Sequence, residues 1–224
     1  MRGVAKMVEV MEQKQLFDNS HIISSISYNQ DEIIKNIIKL HCPDGIELDP
    51  TYSKGVFYKN IRGPLLKFDI DPISTSITKA DCRDLPLDNE SITSIMFDPP
   101  FVGGSRKNGK PGIIKTRFGY YKNIPTLWKM YKGALVEFYR ILKRDGVLIF
   151  KCQDSIESGK QYFSEYKIIK MALDLGFYPK DKFILMAKSR LTSPSQLRQQ
   201  HCRKFHSYFL VFIKCGQKVN YNNV

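Results

Sequence analysis

Three short apolar runs in the first half of this chain each end on an aspartate beside proline. Residues 46–48 (IEL) run into Asp49-Pro50, residues 65–70 (LLKFDI) into Asp71-Pro72, and residues 91–97 (SITSIMF) into Asp98-Pro99-Pro100-Phe101. Proline has no backbone N–H to give a ladder, so each run is bounded at the length of a strand rather than a helix. Between and beyond them lie stretches with helical periodicity. Residues 28–41 (YNQDEIIKNIIKLH) place Ile33, Ile34, Ile37 and Ile38 on one face, with Asn29 as the N-cap and Glu32 in capping-box spacing. Residues 131–142 turn Leu135, Phe138, Ile141 and Leu142 inward, and residues 166–175 are stopped by Gly176.

The remaining elements follow from the same signals. Pro43-Asp44-Gly45 breaks the chain after the first helix, and residues 54–60 read as the start of another. Residues 77–80 lead into Asp81, and residues 143–146 (KRDG) turn into a strand at 147–152. A last pair of strands is expected at 183–187 and 208–214. Strands alternating with helices predict an α/β fold with a mainly parallel sheet covered on both faces. Ligands of such sheets bind beyond the carboxyl ends of the strands. Asp49, Asp69, Asp81 and Asp98 all fall at such ends in this reading.

At 224 residues the chain suits one α/β domain. No run of about 18 apolar residues is present, which argues against a membrane span. The opening MRGVAKMVEVMEQKQ has charges every few positions and no secretory h-region, so a cytoplasmic location is expected. Cys42, Cys82, Cys152, Cys202 and Cys215 never stand in CxxC spacing, which favours reduced, structural thiols. His201, Cys202 and His206 lack a fourth partner for a metal, so none is expected.

The formal charge is +13, and its distribution is more telling than its size. Residues 101–136 hold eight basic side chains and no acid, and residues 182–224 hold eight more, again with no acid. Elsewhere 19 basic residues face 22 acidic ones, so the positive charge belongs to two segments. Segregation of this kind fits a face for a polyanion, and nucleic acid is the expected partner. The first segment carries Arg106, Lys107, Lys110, Lys115, Arg117 and Lys122, interleaved with Tyr120, Tyr121 and Trp128. Basic and aromatic side chains together suit phosphates and an extruded or single-stranded base. Trp128 reads equally well as packing on the sheet. The second segment brings Arg203 and Lys204 toward the last strand.

The strand-end residues suggest a cofactor and a reaction. A carboxylate at the end of the second strand commonly takes ribose hydroxyls, which suits Asp69, with Asp71 as the nearby substitute. The loop after the first strand, DPTYSKG, has one glycine and makes a poor pyrophosphate cradle, so a phosphate-free adenosine cofactor is expected. At Asp98-Pro99-Pro100-Phe101 the prolines fix φ and remove two donors, leaving the carbonyls of Asp98 and Pro99 as acceptors. With the acceptor-only carboxylate of Asp98, they suit an NH₂ group, whose lone pair they would turn toward an electrophile. Phe101 would give a flat face for the ring bearing that amine.

This DPPF tetrapeptide behind an apolar strand resembles the (D/N/S)PP(Y/F) motif of S-adenosylmethionine-dependent methyltransferases acting on exocyclic amines. The approach ADCRDLPLDNESITSIMFDPPF is similar to that family's third and fourth motifs. YNQDEIIKNIIKLHCPDGIELDPTYSKG resembles its tenth motif running into its first. YRILKRDGVLIFKCQD and HSYFLVFIK look like its fifth and last strands. The resemblance covers roughly residues 24–215 apart from the basic insert. It implies a Rossmann-like class I fold, a mainly parallel seven-stranded sheet with a C-terminal antiparallel hairpin strand, in a single domain with residues 102–133 as a recognition insert.

By the same resemblance, Asp98, Pro99, Pro100 and Phe101 bind and orient the amine. Asp49, Ser53 and Gly55 line the methionine part of the cofactor, Tyr28 and Asn29 approach its carboxylate, Asp69 takes the ribose, and Asp81 with Cys82 the adenine. Ser53 stands where the family has glycine, which implies a stiffer loop and a cofactor weaker or differently seated. The activity implied is methyl transfer to adenine N6 or cytosine N4 of DNA. An RNA base methyltransferase (guanine N2 or adenine N6) and a non-catalytic nucleic-acid-binding relative are the alternatives.

Overall fold

The computed structural model describes residues 22–101, 121–189 and 200–215. In chain order the elements are β1 (Ile26–Ser27), α1 (Gln30–His41), β2 (Leu48–Asp49), a 3₁₀ turn (Val56–Tyr58), β3 (Leu66–Asp69), β4 (Thr78–Lys79), β5 (Ile92–Phe97) and α2 (Ile124–Ile141). Then follow β6 (Leu142–Cys152), β7 (Ser155–Glu157), β8 (Lys160–Tyr162), α3 (Ser164–Leu175), β9 (Phe177–Met186) and β10 (His206–Lys214). Eight strands make one sheet in the order β1–β9–β10–β6–β5–β2–β3–β4. Every neighbouring pair is parallel except those of β10, which runs antiparallel to both β6 and β9. The mainly parallel Rossmann-like sheet and its antiparallel C-terminal strand are as the sequence predicts. The two-residue β1 makes the eighth member.

Both faces of the sheet are covered, and strand periodicity decides which residue goes where. Ile95 and Phe97 of β5, Leu148 and Phe150 of β6, and Leu210 and Phe212 of β10 point to one side, against Leu127, Leu135 and Phe138 of α2 and Ile168 of α3. Met96, Ile149, Phe209 and Val211, one residue out of step, point to the other side and meet Ile33, Ile34 and Ile37 of α1. Phe97 stands edge-on to Phe138 and Phe150, with centroids 4.8 and 4.9 Å away. Buried Ser94 is satisfied rather than stranded: its hydroxyl accepts from Glu47 N (2.9 Å) and donates to Gly45 O (2.9 Å).

Several boundaries differ from the sequence reading, each for a local reason. Asn29 caps α1 as expected, its Oδ1 accepting from Asp31 N, but Glu32 takes the Ser27 hydroxyl (2.6 Å) instead of closing a capping box. Residues 54–60 make only a 3₁₀ turn. α2 starts at Ile124, not residue 131, because Asn123 accepts from Thr126 N and Pro125 fits the first turn. Residues 124–133 of the supposed insert are therefore core helix, with Leu127, Met130 and Tyr131 buried. β6 begins five residues earlier than expected, taking in the KRDG turn as an irregular stretch where Asp145 has φ +63°.

β9 is twice the expected length. Pro179 disguises it, sitting where the pairing with β10 slips register, the place a sheet tolerates proline. The β7–β8 hairpin has no counterpart in the sequence reading. It turns on Ser158-Gly159, both at positive φ, as a two-residue hairpin loop requires. No described helix is long and apolar enough to cross a membrane.

Phe97→Ala should leave a void between the Phe138 and Phe150 rings, beside the strand end that carries Asp98. We expect a loss of about 3–5 kcal/mol in urea unfolding, with the denaturant slope unchanged.

Candidate active site

β5, β2, β3 and β4 lie side by side and parallel, so their carboxyl ends share one edge of the sheet. Asp49 ends β2, Asp69 ends β3, Asp98 follows β5, and Asp81 comes two residues after β4. The four acids of the sequence reading thus stand along one edge. Beneath them a cavity of about 220 Å³ opens, walled by Gln30, Asp49, residues 51–58, Asp98 and Lys151.

Asp49 is the innermost of these groups, 2% exposed. Its Oδ1 accepts from Thr51 N (2.8 Å) and the Thr51 hydroxyl (3.3 Å), and its Oδ2 from the Tyr58 hydroxyl (2.8 Å). Burial pushes the carboxyl up to about 7, and the charge of Asp98 adds to this, against the pull of Thr51 and Tyr58. Tyr58 stacks on Tyr52 with centroids 5.6 Å apart, and its own hydroxyl is driven upward by burial and by Asp49.

The loop after β2 turns on two left-handed residues. Ser53 has φ +48° and donates its N–H to Asp69 Oδ2 (2.8 Å). Gly55 has φ +61°, and a Cβ there would lie 2.5 Å from the Tyr52 hydroxyl, so glycine is favoured on both counts. The position where the resembled family has glycine is thus one that glycine favours, and Ser53 occupies it under strain. Asp69 accepts a second backbone bond from Asp71 N (2.9 Å). Its carboxylate therefore shapes the loop through both oxygens while keeping further lone pairs.

Asp98 is fixed through both backbone and side chain. Its N–H donates to the Thr51 hydroxyl (3.1 Å), and its Oδ1 lies 3.7 Å from Lys151 Nζ. The side chain is about 30% exposed and lines the cavity. Burial raises it and Lys151 opposes the rise. Pro99 is buried, Pro100 gives its carbonyl to the Tyr131 hydroxyl, and the half-buried ring of Phe101 faces Lys151 Nζ at 5.7 Å.

Asp81 is held by Arg83, whose Nε lies 2.9 Å from Oδ1 and which keeps the carboxyl below its ordinary range. The half-buried Cys82 thiol, pushed up to about 12 by burial, lies 3.9 Å from Met130 Sδ. Tyr121 packs against the core and lies near Cys82 and Arg83. Tyr28 is exposed, with Lys188 over its ring, and Asn29 is committed to its helix, while the next residue, Gln30, reaches the cavity. Trp128 packs edge-on to Tyr162 and donates to the Ser164 hydroxyl (3.2 Å), which is the packing alternative. Exposed Lys122 precedes α2; Arg203 and Lys204 lead into β10, which begins beside the carboxyl end of β6. Arg106, Lys107, Lys110, Lys115, Arg117 and Tyr120 lie outside the described residues.

Sequence reasoning missed Gln30, Thr51, Tyr58 and Lys151. Lys151 had a usable signal: it is a lone charge inside VLIFKC, a run whose neighbours are all buried. Among the described residues no three His, Cys, Asp or Glu side chains group to hold a metal.

No family model matches the sequence, and no curated protein matches it. Solved structures similar to it include PvuII DNA methyltransferase, which is cytosine-N4-specific (19% identity, TM-score 0.45, 61% of this chain and 48% of that one). Another is TTHA0409 of Thermus thermophilus, assigned as a DNA modification methylase and complexed with S-adenosyl-L-methionine (16%, 0.43, 64% and 57%). A third is the assigned methyltransferase bound to the Trm112 activator of Haloferax volcanii (14%, 0.48, 83% and 90%). The chain spans about half the length of the two DNA methylases. What it does must be read from its own residues.

Because the folded-state value of Asp49 lies above its ordinary 3.8, the folded protein keeps a proton that the unfolded chain releases. Stability of the ligand-free protein should therefore fall as pH rises from about 4 to about 7, by up to roughly 4 kcal/mol from this group. Urea unfolding across that range should show the slope, and Asp49→Asn should flatten it.

Proposed function

We propose that this chain is an S-adenosylmethionine-dependent methyltransferase that acts on an exocyclic amine of a nucleic-acid base, adenine N6 or cytosine N4 of DNA. The observation that carries the reading is the meeting, in one cavity, of Asp98, the first residue of the Asp98-Pro99-Pro100-Phe101 corner, with Asp49 and the loop of residues 51–58. The residues suit the cofactor. The cavity has room for a methionine-sized group beside Gln30, Asp49, Ser53 and Gly55, and Asp69 stands one strand further along with lone pairs left for a ribose. Asp81, Cys82 and Tyr121 come next along the same edge and would border the adenine. When bound, the cofactor supplies an electrophilic methyl group.

The protein's part is positioning. The Asp98 carboxylate and a neighbouring backbone carbonyl accept both hydrogens of the target amine. This draws the nitrogen lone pair out of conjugation with the ring and aims it into the cavity. Transfer would break the cofactor's S–CH₃ bond, leaving a neutral thioether, as the N–C bond forms; the nitrogen would then shed one of those hydrogens as a proton to water at the carboxylate's edge. Phe101 lies flat against the base. The acid-free segment of residues 101–136, and Arg203 with Lys204 before β10, supply cations for the phosphates.

Labelled S-adenosylmethionine, offered with separate pools of DNA, tRNA and rRNA, should give label in DNA as N6-methyladenine or N4-methylcytosine. Label only in RNA would move the substrate to the alternative, and no transfer by folded protein would sink the reading. Asp98→Ala should lower transfer by at least on the order of 100-fold while cofactor binding, followed by calorimetry, stays nearly intact.

A further inference from the structure

Lys151 is a charge where the fold asks for none. It lies on β6 within a stretch, Val147 to Cys152, whose other members are all buried and apolar, as a central strand covered on both faces requires. The register sets its place: Phe97 pairs with Phe150, so the next residues, Asp98 and Lys151, are lateral neighbours at the carboxyl ends of β5 and β6. Lys151 is 9% exposed. Its ammonium group is cupped by Phe57 (4.5 Å to the ring centre), Phe209 (5.4 Å) and Phe101 (5.7 Å). It donates to Gln30 Oε1 at 3.0 Å and stands 3.7 Å from Asp98 Oδ1.

We propose that Lys151 is a positioning residue for the reaction: its ammonium group holds the Asp98 carboxylate in the charged, acceptor-only form and anchors one oxygen, so that the other faces the target amine. This rests on the methyltransferase reading above. A lysine buried only to brace two strands would be expected to close a short bond to its carboxylate. Here the short bond goes to Gln30, and the Asp98 contact is too long for a direct hydrogen bond. The cation therefore acts on Asp98 through its field, while the aromatic walls and Gln30 keep the ammonium from swinging away.

Burial of the Asp98 carboxyl is what that field works against. Nearby, Asp49 from β2 has a carboxyl that burial raises to about 7, Tyr58 from the 3₁₀ turn donates to Asp49, and Tyr131 from α2 donates to the Pro100 carbonyl. Lys54 lines the cavity from the loop after β2. Of these cations only Lys151 pairs with Asp98. A protonated Asp98 would present an O–H donor to an amine that needs two acceptors, so losing the cation disables the corner without moving an atom of it.

Two measurements decide it. In protein carrying ¹³C-labelled aspartate and no cofactor, the Asp98 carboxyl resonance, assigned by its loss in Asp98→Asn, reports the carboxyl's midpoint directly. We expect Lys151→Met to raise that midpoint by about one pH unit or more, and Lys151→Arg to keep it near the wild-type value. In methyl-transfer assays the acid limb of kcat/KM should move up by the same amount in Lys151→Met. Activity should then return to within about tenfold of wild type above the new limb.

An unmoved midpoint, or activity lowered equally at every pH, overturns the proposal. Should Lys151→Met not fold, Lys151→Gln, which keeps a hydrogen-bonding head for Gln30 without the charge, is read by the same measurements. A wild-type protein that transfers no methyl group sinks the methyltransferase reading instead, and the carboxyl titration still decides whether Lys151 governs Asp98.

Discussion

The candidate site hangs on one hydroxyl, that of Thr51. It donates to Asp49 Oδ1 and accepts the Asp98 N–H, so a single oxygen joins the end of β2 to the end of β5. Through Asp49 the same node extends to Tyr58, and through the loop it extends to Ser53 and Asp69 on β3. Three strand ends are thereby tied by side chains where the ladder itself has stopped. The alternative is a set of loops free to drift apart, which would leave the Asp98 corner and the Asp49–Tyr58 loop at no fixed distance. Here that distance is set before any ligand arrives, which is the preorganisation that the proposed reaction would need.

The electrostatics of the cavity follow from that node. Two carboxylates share it, and their environments differ. Asp49 is surrounded by hydrogen-bond donors but has no cation against it among the described residues, so burial dominates and carries it up to about 7. Asp98 has Lys151 beside it, which works against the same burial. Burial raises both carboxyls, but only Asp98 has a cation opposing it among the described residues, and such a difference in surroundings can fit two neighbouring acids for different roles. The hydrogen bonds support the division, since the described bonds to the Asp49 carboxylate come from within its own loop.

Much of this is legible in the sequence because strand ends in parallel sheets are marked twice, once by apolar runs and once by what halts them. Asp49, Asp69, Asp81 and Asp98 can be placed at one edge from those marks alone, and the structure puts them there. What escapes does so for reasons that spacing does not carry. β9 reads short because Pro179 looks like a stop, whereas a register slip absorbs it. The start of α2 is hidden because Asn123-Ile124-Pro125 sits inside a run of basic residues, where charge masks the capping signal. Lys151 reads as a solvated residue until its lateral neighbour is known, and lateral neighbours are set by register rather than by sequence distance.

Topology also gathers the anchors of the two acid-free segments. Phe101 lies beside Lys151, and Tyr121 lies beside Cys82 and Arg83, so residues 102–120 leave and re-enter the described structure at the same edge of the sheet. Arg203 and Lys204 arrive there too, because β10 runs antiparallel to β6 and must begin where β6 ends. The two acid-free segments are far apart in the chain, yet the sheet brings their anchoring residues to the same edge. The edge that carries Asp98 thus also receives Phe101, Tyr121 and the approach of Arg203 and Lys204 to β10, and the strand order is what brings them together.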